Sequence, residues 1–380
     1  MMAVKKHLLF RSLYVLFVLL VFLAPEICAR VIARFTPPVG TRSLYKEISQ
    51  GYALHDQLVA DWRALHFEYR DYYLYSPGPA SSKTVNFTSY FGARATPASV
   101  DVKDAKEIIW TFGGSTMQNL EADDELTLAN QIATEMNKQG IPTHIYNFGV
   151  GAFQSSLEII KFQDLLRRTS PRERPTTVIF YDGFNDSIFA YLYGAGRFQS
   201  DTSSKLQDLI ERDYPRLFIY AASEWLGDRS VFWSNYMRKR VDITLHAGHP
   251  PDDSNENLVK AVTIYTTNVK MTKGVCKELG IRCLFFLQPL VITKHPLGTV
   301  EATVVESLGN AKIQFGQAFY KEVQSVLADE SVFHDISHIL DGIEGSHFFD
   351  YGHTSPFVGV TIGKAIALHV IRARELVHSR

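Results

Sequence analysis

Short apolar runs alternate with longer amphipathic segments over the last two thirds of the chain. Four runs, each closed by a glycine or proline turn, predict buried strands at residues 108–112, 144–148, 177–181 and 282–287. Segments with helical periodicity lie between and after them, at residues 125–138, 157–166, 259–279, 311–327 and 358–373. Strands that are apolar throughout and separated by helices predict a central parallel sheet covered on both faces, a three-layer α/β/α sandwich.

Three regions depart from this alternation. Residues 44–69 have apolar positions at roughly helical spacing and predict a helix, whereas residues 75–98 are rich in Ser, Pro, Gly and Thr and predict loops with short strands. Residues 189–257 carry many aromatic side chains and are too long for a simple crossover. Two interpretations of this third region stay open: a lid beside the site, or an inserted helical layer with its own small core.

The N-terminus begins with Lys5 and Lys6 and continues into an apolar run over residues 8–24. This pattern is typical of a signal anchor or a cleaved secretory signal, and a buried core helix is a third interpretation. Counted on to Cys28, the run reaches the roughly 20 residues of a membrane span. The bulky Ile27 near the possible cleavage position favours an anchor that is kept.

The basic residues before this run place the N-terminus in the cytoplasm. The rest of the chain is then expected on the periplasmic or extracellular side, tethered to the membrane, or secreted if the signal is cleaved. The patterns divide the chain into an anchor segment at residues 1–30, an N-terminal extension at 31–105 and an α/β domain at 106–380.

The overall charge and the cysteines narrow the class of protein further. The formal net charge of the 380 residues is -1, so nothing predicts a nucleic-acid partner. Three cysteines are too few for a disulfide scaffold. Cys276 and Cys283 are close enough in sequence to pair in an oxidising compartment, or to be two buried thiols.

Two candidate chemical segments follow the first two strands. Gly113-Gly114-Ser115-Thr116 places a serine on a tight strand-to-helix turn, where its hydroxyl can meet a substrate above the sheet. Asn147-Phe148-Gly149-Val150-Gly151-Ala152 follows the second strand and offers backbone amides for an oxyanion. Each segment alone is equally compatible with an ordinary turn.

Two further segments complete the set. Asp182-Gly183-Phe184-Asn185-Asp186 follows the third strand and brings the Asn185 amide, although its carboxylates could simply cap a helix. Asp350-Tyr351-Gly352-His353 precedes the last helix, and a carboxylate three residues before an imidazole can hold its Nδ1 proton and leave Nε2 as a general base. The ordered combination of serine, carboxylate and histidine at strand ends is what acyl transfer at a serine requires.

In this order, Gly113-Gly114-Ser115-Thr116, Asn147-x-Gly149, Gly183-x-Asn185-Asp186 and Asp350-x-x-His353 resemble blocks I, II, III and V of the SGNH (GDSL-type) hydrolase superfamily. The resemblance covers roughly residues 106–380, and residues 85–94 resemble the lead-in of membrane-anchored bacterial members.

The resemblance implies a flavodoxin-like sheet, Ser115 as nucleophile and Asp350 and His353 as the rest of the triad. It also implies an oxyanion hole formed by the Ser115 amide, a block II amide and the Asn185 side chain. Two departures from the family pattern are visible. Gly114 stands where the name-giving motif has Asp, and the second block II glycine falls on Gly151 or Ala152, depending on the alignment.

No metal or other cofactor is expected for this chemistry, although His334 and His338 are a helical turn apart and could suit a metal. The predicted function is a serine esterase acting on acyl esters, acetyl esters among them, with a glycan, lipid or small ester as substrate. An O-acyltransferase acting on an envelope glycan is the first alternative. A catalytically silent binding or scaffold module of a membrane assembly is the second.

Overall fold

The structure is a computed structural model that describes residues 23–32, 48, 54–198, 207–238, 240–241 and 251–378. The chain forms two compact units, one of residues 44–198 and 251–380 and the other of residues 1–43 and 199–250. The predicted N-terminal anchor lies outside the described residues, except that residues 23–32 form a helix, α1.

The strands of the larger unit form a small hairpin and a central sheet. In chain order they are β1 (Phe67–Arg70), β2 (Leu74–Pro77), β3 (Glu107–Gly113), β4 (Thr143–Asn147), β5 (Thr177–Asp182), β6 (Arg282–Leu287) and β7 (Phe333–Asp335). The hairpin pairs β1 with β2, and the five-stranded sheet has the order β4-β3-β5-β6-β7 with every pair parallel. Counted within the sheet, this is the flavodoxin-like order 2-1-3-4-5. The predicted parallel α/β fold is therefore confirmed.

The helices that follow α1 are α2 (His55–Arg63), α3 (Ser115–Gln118), α4 (Leu128–Lys138), α5 (Ser155–Arg168), α6 (Phe184–Tyr193), α7 (Tyr214–Gly227), α8 (residues 231–238), α9 (Asn255–Glu278), α10 (Thr299–Leu308), α11 (Asn310–Leu327) and α12 (Pro356–His378). Helices α4 and α12 pack together, and α9 packs against α5, α6 and α11. These two groups provide the helical layers that flank the sheet.

The sheet is buried because both of its faces carry apolar side chains. Every residue of β3 and β5 is buried, as expected for central parallel strands. The register places Phe112 opposite Phe180 and Phe180 opposite Phe285, and their rings stack at centroid distances of 5.3 and 4.8 Å. This aromatic ladder holds β3, β5 and β6 at a fixed spacing, and β3 and β5 lead into Ser115 and Asn185.

The predictions for the N-terminal extension were partly wrong. Within the described residues of 44–69, the helix ends at Arg63, and Phe67–Arg70 is a strand paired with Leu74–Pro77. The cause is the hairpin, since cross-strand pairing of these residues replaces the helical pattern that their spacing alone favoured. Pattern reading also missed α10 and the short strand β7, and it gave no bounds for α6 and α7.

The C-terminal helix α12 contains the one stretch in the described part of the chain that is long and apolar enough to cross a membrane, Pro356–Leu376. Its Ile362, Ile366 and Val370 are buried in the core of the larger unit. This packing accounts for the apolar residues on one face of the helix, while Val360 and Leu368 are exposed. At the other helical layer, Cys276 of α9 and Cys283 of β6 form a disulfide.

Candidate active site

Ser115, His353 and Asp350 come together at the carboxyl end of the sheet. His353 Nε2 lies 2.6 Å from Ser115 Oγ, and His353 Nδ1 lies 2.7 Å from Asp350 Oδ2. The second carboxylate oxygen, Oδ1, accepts hydrogen bonds from the backbone amides of Gly352 and His353, each at 2.9 Å. The imidazole therefore bridges the serine hydroxyl and a carboxylate that its own loop holds in place.

Ser115 is the first residue of α3, directly after β3 and the turn at Gly114. A Cβ at Gly114 would collide with the Asn185 side chain and lie 3.2 Å from the Phe153 carbonyl oxygen. The absence of a side chain at position 114 thus lets the segments after β4 and β5 approach the serine turn. Thr116 donates a hydrogen bond to Gln288 Oε1 at 2.9 Å, which ties α3 to the segment after β6.

A second carboxylate, Glu121, faces the histidine, and no pattern in the sequence singled it out. Burial raises the pKa of Glu121 to about 7, aided by the charge of Asp350 and opposed by His353 and Arg94. Burial opposes a charge on the imidazole, but Glu121 and Asp350 outweigh it and raise the pKa of His353 to about 9. Within the described part of the chain, no side chain donates a hydrogen bond to the Glu121 carboxylate, which is 9% exposed.

Asn185 lies in the first turn of α6, after the Gly183 turn at the end of β5. Its Nδ2 donates to the Phe153 carbonyl at 2.6 Å, which uses one of the two N–H groups of the amide. The neighbouring Asp186 accepts from the Ser155 hydroxyl at 2.6 Å and from the Ser155 amide at 3.2 Å, so it caps α5 from the start of α6. These bonds join the segments after β4 and β5 beside Ser115.

The two amides after β4 that are candidate oxyanion donors differ in their hydrogen bonds. The Gly151 amide donates to Gln118 Oε1 at 2.8 Å. The Ala152 amide has no hydrogen-bond acceptor among the described residues, and Ala152 adopts a left-handed conformation with φ of 66°. The family pattern left Gly151 and Ala152 as alternative oxyanion donors. Because its amide is already hydrogen-bonded to Gln118, Gly151 is the less available of the two.

Arg94 holds the loop that follows the serine helix. Its guanidinium, fully buried in the larger unit, donates to the carbonyl oxygens of Gln118, Asn119 and Ala122 and to the carboxylate of Asp124. The Nε–Oδ1 distance to Asp124 is 2.9 Å. Glu121 lies within this clamped loop, so Arg94 fixes both the end of α3 and the carboxylate near His353.

The other histidines near the C-terminus lie apart from the triad contacts. His334 packs against His369, with ring centroids 4.2 Å apart, and against Phe286. His338 Nδ1 lies 3.0 Å from Asp341. The described residues contain no group of three or more His, Cys, Asp or Glu side chains suited to hold a metal ion.

Comparisons with known proteins give partial likenesses in structure. No protein-family model and no curated protein matches the chain. A lipolytic protein of the G-D-S-L family from Desulfitobacterium hafniense shares 10% identity at a TM-score of 0.37, covering 70% of this chain and 99% of that one. An acetylxylan esterase from Geobacillus stearothermophilus shares 10% identity at a TM-score of 0.39, covering 70% of this chain and 94% of that one.

A third solved structure, described as an acetyl xylan esterase, shares 10% identity at a TM-score of 0.38 and is covered over 98% of its length. The first of the three carries the family name that the sequence motifs resemble. All three TM-scores are below 0.5, so the candidate site is assigned from the contacts of Ser115, His353 and Asp350 and not from these likenesses.

Proposed function

We propose that this protein is a serine esterase that cleaves acyl esters with Ser115 as nucleophile, His353 as general base and Asp350 as the group that orients the histidine. The observation that carries the proposal is the continuous chain of two short contacts, 2.6 Å from Ser115 Oγ to His353 and 2.7 Å from His353 to Asp350. A nucleophile, a base and an orienting carboxylate within hydrogen-bond reach are the signature of acyl transfer at serine.

The reaction proceeds in two halves. His353 Nε2 takes the proton of Ser115 Oγ as that oxygen attacks the ester carbonyl, and the tetrahedral intermediate collapses when His353 returns the proton to the leaving alcohol. In the second half, His353 takes a proton from water as the water attacks the acyl enzyme. His353 then returns the proton to Ser115 Oγ, and the acid is released. Asp350 accepts the Nδ1–H bond and stabilises the imidazolium formed in both halves.

The oxyanion of the intermediate is proposed to lie among the Ser115 amide, the second N–H of Asn185 and a block II amide. Ser115 begins α3, so its amide is one of those that a helix start leaves without an intrahelical acceptor. The free Ala152 amide supports that residue over Gly151 as the third donor. Donors held in place before the reaction stabilise the developing charge without reorganisation.

The proposed location is the outer side of a membrane, with the apolar run of residues 8–24 as an uncleaved anchor and residues 106–380 as the catalytic domain. This location makes acyl esters of envelope glycans or lipids the proposed substrates. It rests on the N-terminal sequence pattern, because the described residues begin at Leu23.

Hydrolysis of nitrophenyl esters from acetyl to octanoyl by the full chain in detergent tests the proposal. Ser115→Ala is expected to abolish acid release, while Ser187→Ala is the matched control. Ser187 is also a buried serine in a helix after a strand, but its hydroxyl bonds the Phe184 carbonyl and the Tyr351 hydroxyl and takes no part in the Ser115–His353–Asp350 hydrogen bonds. Hydrolysis that survives Ser115→Ala, or absence of hydrolysis from the wild-type protein with every ester, would reject the esterase proposal.

A further inference from the structure

The smaller unit exposes large apolar side chains on two helices. On α1, Leu23, Ile27 and Val31 recur every fourth residue, and Ile27 is 58% exposed. A run of exposed apolar residues at helical spacing forms a continuous stripe along one face of a helix. Such stripes on a water-soluble surface are costly and mark a surface that something else covers.

Helix α7 carries a second exposed stripe. Tyr214, Phe218 and Trp225 stand at positions i, i+4 and i+11, and Phe218 is 74% exposed. The opposite face is already packed, since Tyr220 and Ser223 are buried. The exposed aromatic residues are therefore additional to the internal packing of the unit.

Glu26 of α1 ties the segment after α7 to the end of the N-terminal apolar run. Its carboxylate accepts hydrogen bonds from the Ser230 hydroxyl at 2.6 Å and from the Val231 and Phe232 amides at 3.0 Å. These amides begin α8, so Glu26 caps that helix. In α1, Glu26 lies about 3 Å along the axis from Ala24, the last residue of the apolar run.

The charges around α7 and α8 suit an anionic surface. Residues 207–241 contain six Lys or Arg and five Asp or Glu, and the basic excess lies after α7, where residues 229–241 contain four Lys or Arg and no Asp or Glu. Arg229 lies 4.6 Å from the centre of the Trp225 ring, so a cation and an exposed aromatic ring are paired. Aromatic rings beside basic side chains are typical of segments that lie at the headgroup level of a bilayer.

We propose that the exposed faces of α1 and α7 dock in the headgroup region of a lipid bilayer with anionic lipids. This inference rests on the proposed membrane anchoring, because residues 8–24 must enter the bilayer for α1 to meet its surface. Glu26 then keeps the start of α8 beside the point where the chain leaves the bilayer, and Phe218 and Trp225 enter the interface. In this proposal α7, part of the long region between β5 and β6, is a membrane-contacting element and not a lid.

The test uses the full chain in vesicles of phosphatidylcholine and phosphatidylglycerol. A nitroxide label is placed by Phe218→Cys in a Cys28→Ser background, since Cys28 is free and exposed and the remaining cysteines form the disulfide. Glu125→Cys, at an exposed position of the larger unit, is the matched control. Collisions of each label with oxygen and with a water-soluble nickel complex report its depth.

The label at position 218 is expected about 5–10 Å below the headgroup boundary, with raised oxygen and lowered nickel collisions relative to position 125. If the protein floats with the vesicles but the label at position 218 is as accessible to nickel as the label at position 125, the docking is rejected and the anchoring is retained. A label shielded from both oxygen and nickel would overturn it in favour of a protein cover, such as a second copy. If the protein does not float with the vesicles, the anchoring and the docking are both rejected. The esterase proposal is tested separately, by hydrolysis of the nitrophenyl esters.

A second measurement needs no cysteine substitution at Phe218. Brominated lipids with bromines near the headgroups are expected to quench the wild-type tryptophan fluorescence more than that of Trp225→Phe. Trp62, Trp110 and Trp233 remain in both proteins, so the difference in quenching between the two proteins reports Trp225. Equal quenching of the two proteins contradicts the docking even if the labelled variant fails to fold.

Discussion

Gln118 accepts a hydrogen bond from the Gly151 amide, with its Oε1 2.8 Å from the nitrogen. Gln118 is the last residue of the serine helix, so this bond fixes the loop after β4 against the nucleophile turn. It also engages the Gly151 amide, whereas the Ala152 amide has no hydrogen-bond acceptor among the described residues.

We expect the Ala152 amide to bond the oxyanion. In protein labelled with ¹⁵N-alanine or ¹⁵N-glycine, a phosphonate adduct at Ser115 is expected to move the Ala152 amide proton strongly downfield. The reason is that the adduct puts a negative oxygen where the tetrahedral intermediate would have one. NMR of the two labelled samples makes the comparison, and a large shift at Gly151 with none at Ala152 would reverse the assignment.

Replacing Asn185 by Ala is expected to reduce kcat about 100- to 1000-fold, because one oxyanion donor is lost. Steady-state kinetics on a nitrophenyl ester would measure it. The control is Asn137→Ala, since Asn137 also donates to a backbone carbonyl, that of Ala98, but takes no part in the contacts around Ser115. An Asn185→Ala enzyme with the wild-type kcat would remove Asn185 from the proposed oxyanion hole.

The sequence was sufficient to predict the parallel sheet and the strands β3 to β6, because central parallel strands are apolar on both faces and stand out from their surroundings. The family resemblance implied that Ser115 and Asn185 belong to one site, and in the structure Asn185 lies against Gly114, the residue before Ser115. The roles assigned to those residues stay predictions until activity is measured.

The contacts of Arg94, Gln118 and Glu121 could not be predicted from the sequence pattern, although Arg94 ends the segment that resembles the family lead-in. Their contacts are made between loops that are distant in sequence, such as the 24 residues from Arg94 to Gln118. No periodicity links such positions, and charged residues in loops are usually solvated. The role of a buried arginine can be recognised only from a structure that shows the carbonyl oxygens to which it donates.

Arg94→Met is expected to destabilise the protein by about 3–5 kcal/mol, because it leaves the buried Asp124 carboxylate without its cation and three backbone carbonyls without their donor. Urea unfolding would measure the loss. Arg167→Met is the control: its side chain is 60% exposed in its ion pair with Asp164, and the expected change is within about 1 kcal/mol. If both substitutions lower the free energy of unfolding by the same small amount, the hydrogen bonds of Arg94 contribute little to stability.

Glu121→Gln is expected to move the pH dependence of hydrolysis toward acid. In the wild-type protein the base is neutral only above the His353 pKa of about 9, so kcat/KM should rise with pH up to that region.

The Glu121 charge helps to raise that pKa, alongside Asp350 and against burial, so its removal lowers the pKa and shifts the rising limb to lower pH. The measurement is the pH profile of kcat/KM, with Glu125→Gln, an exposed carboxylate of the same loop, expected to leave the midpoint unchanged. A midpoint that stays in place in Glu121→Gln would show that Glu121 does not act on His353 through its charge.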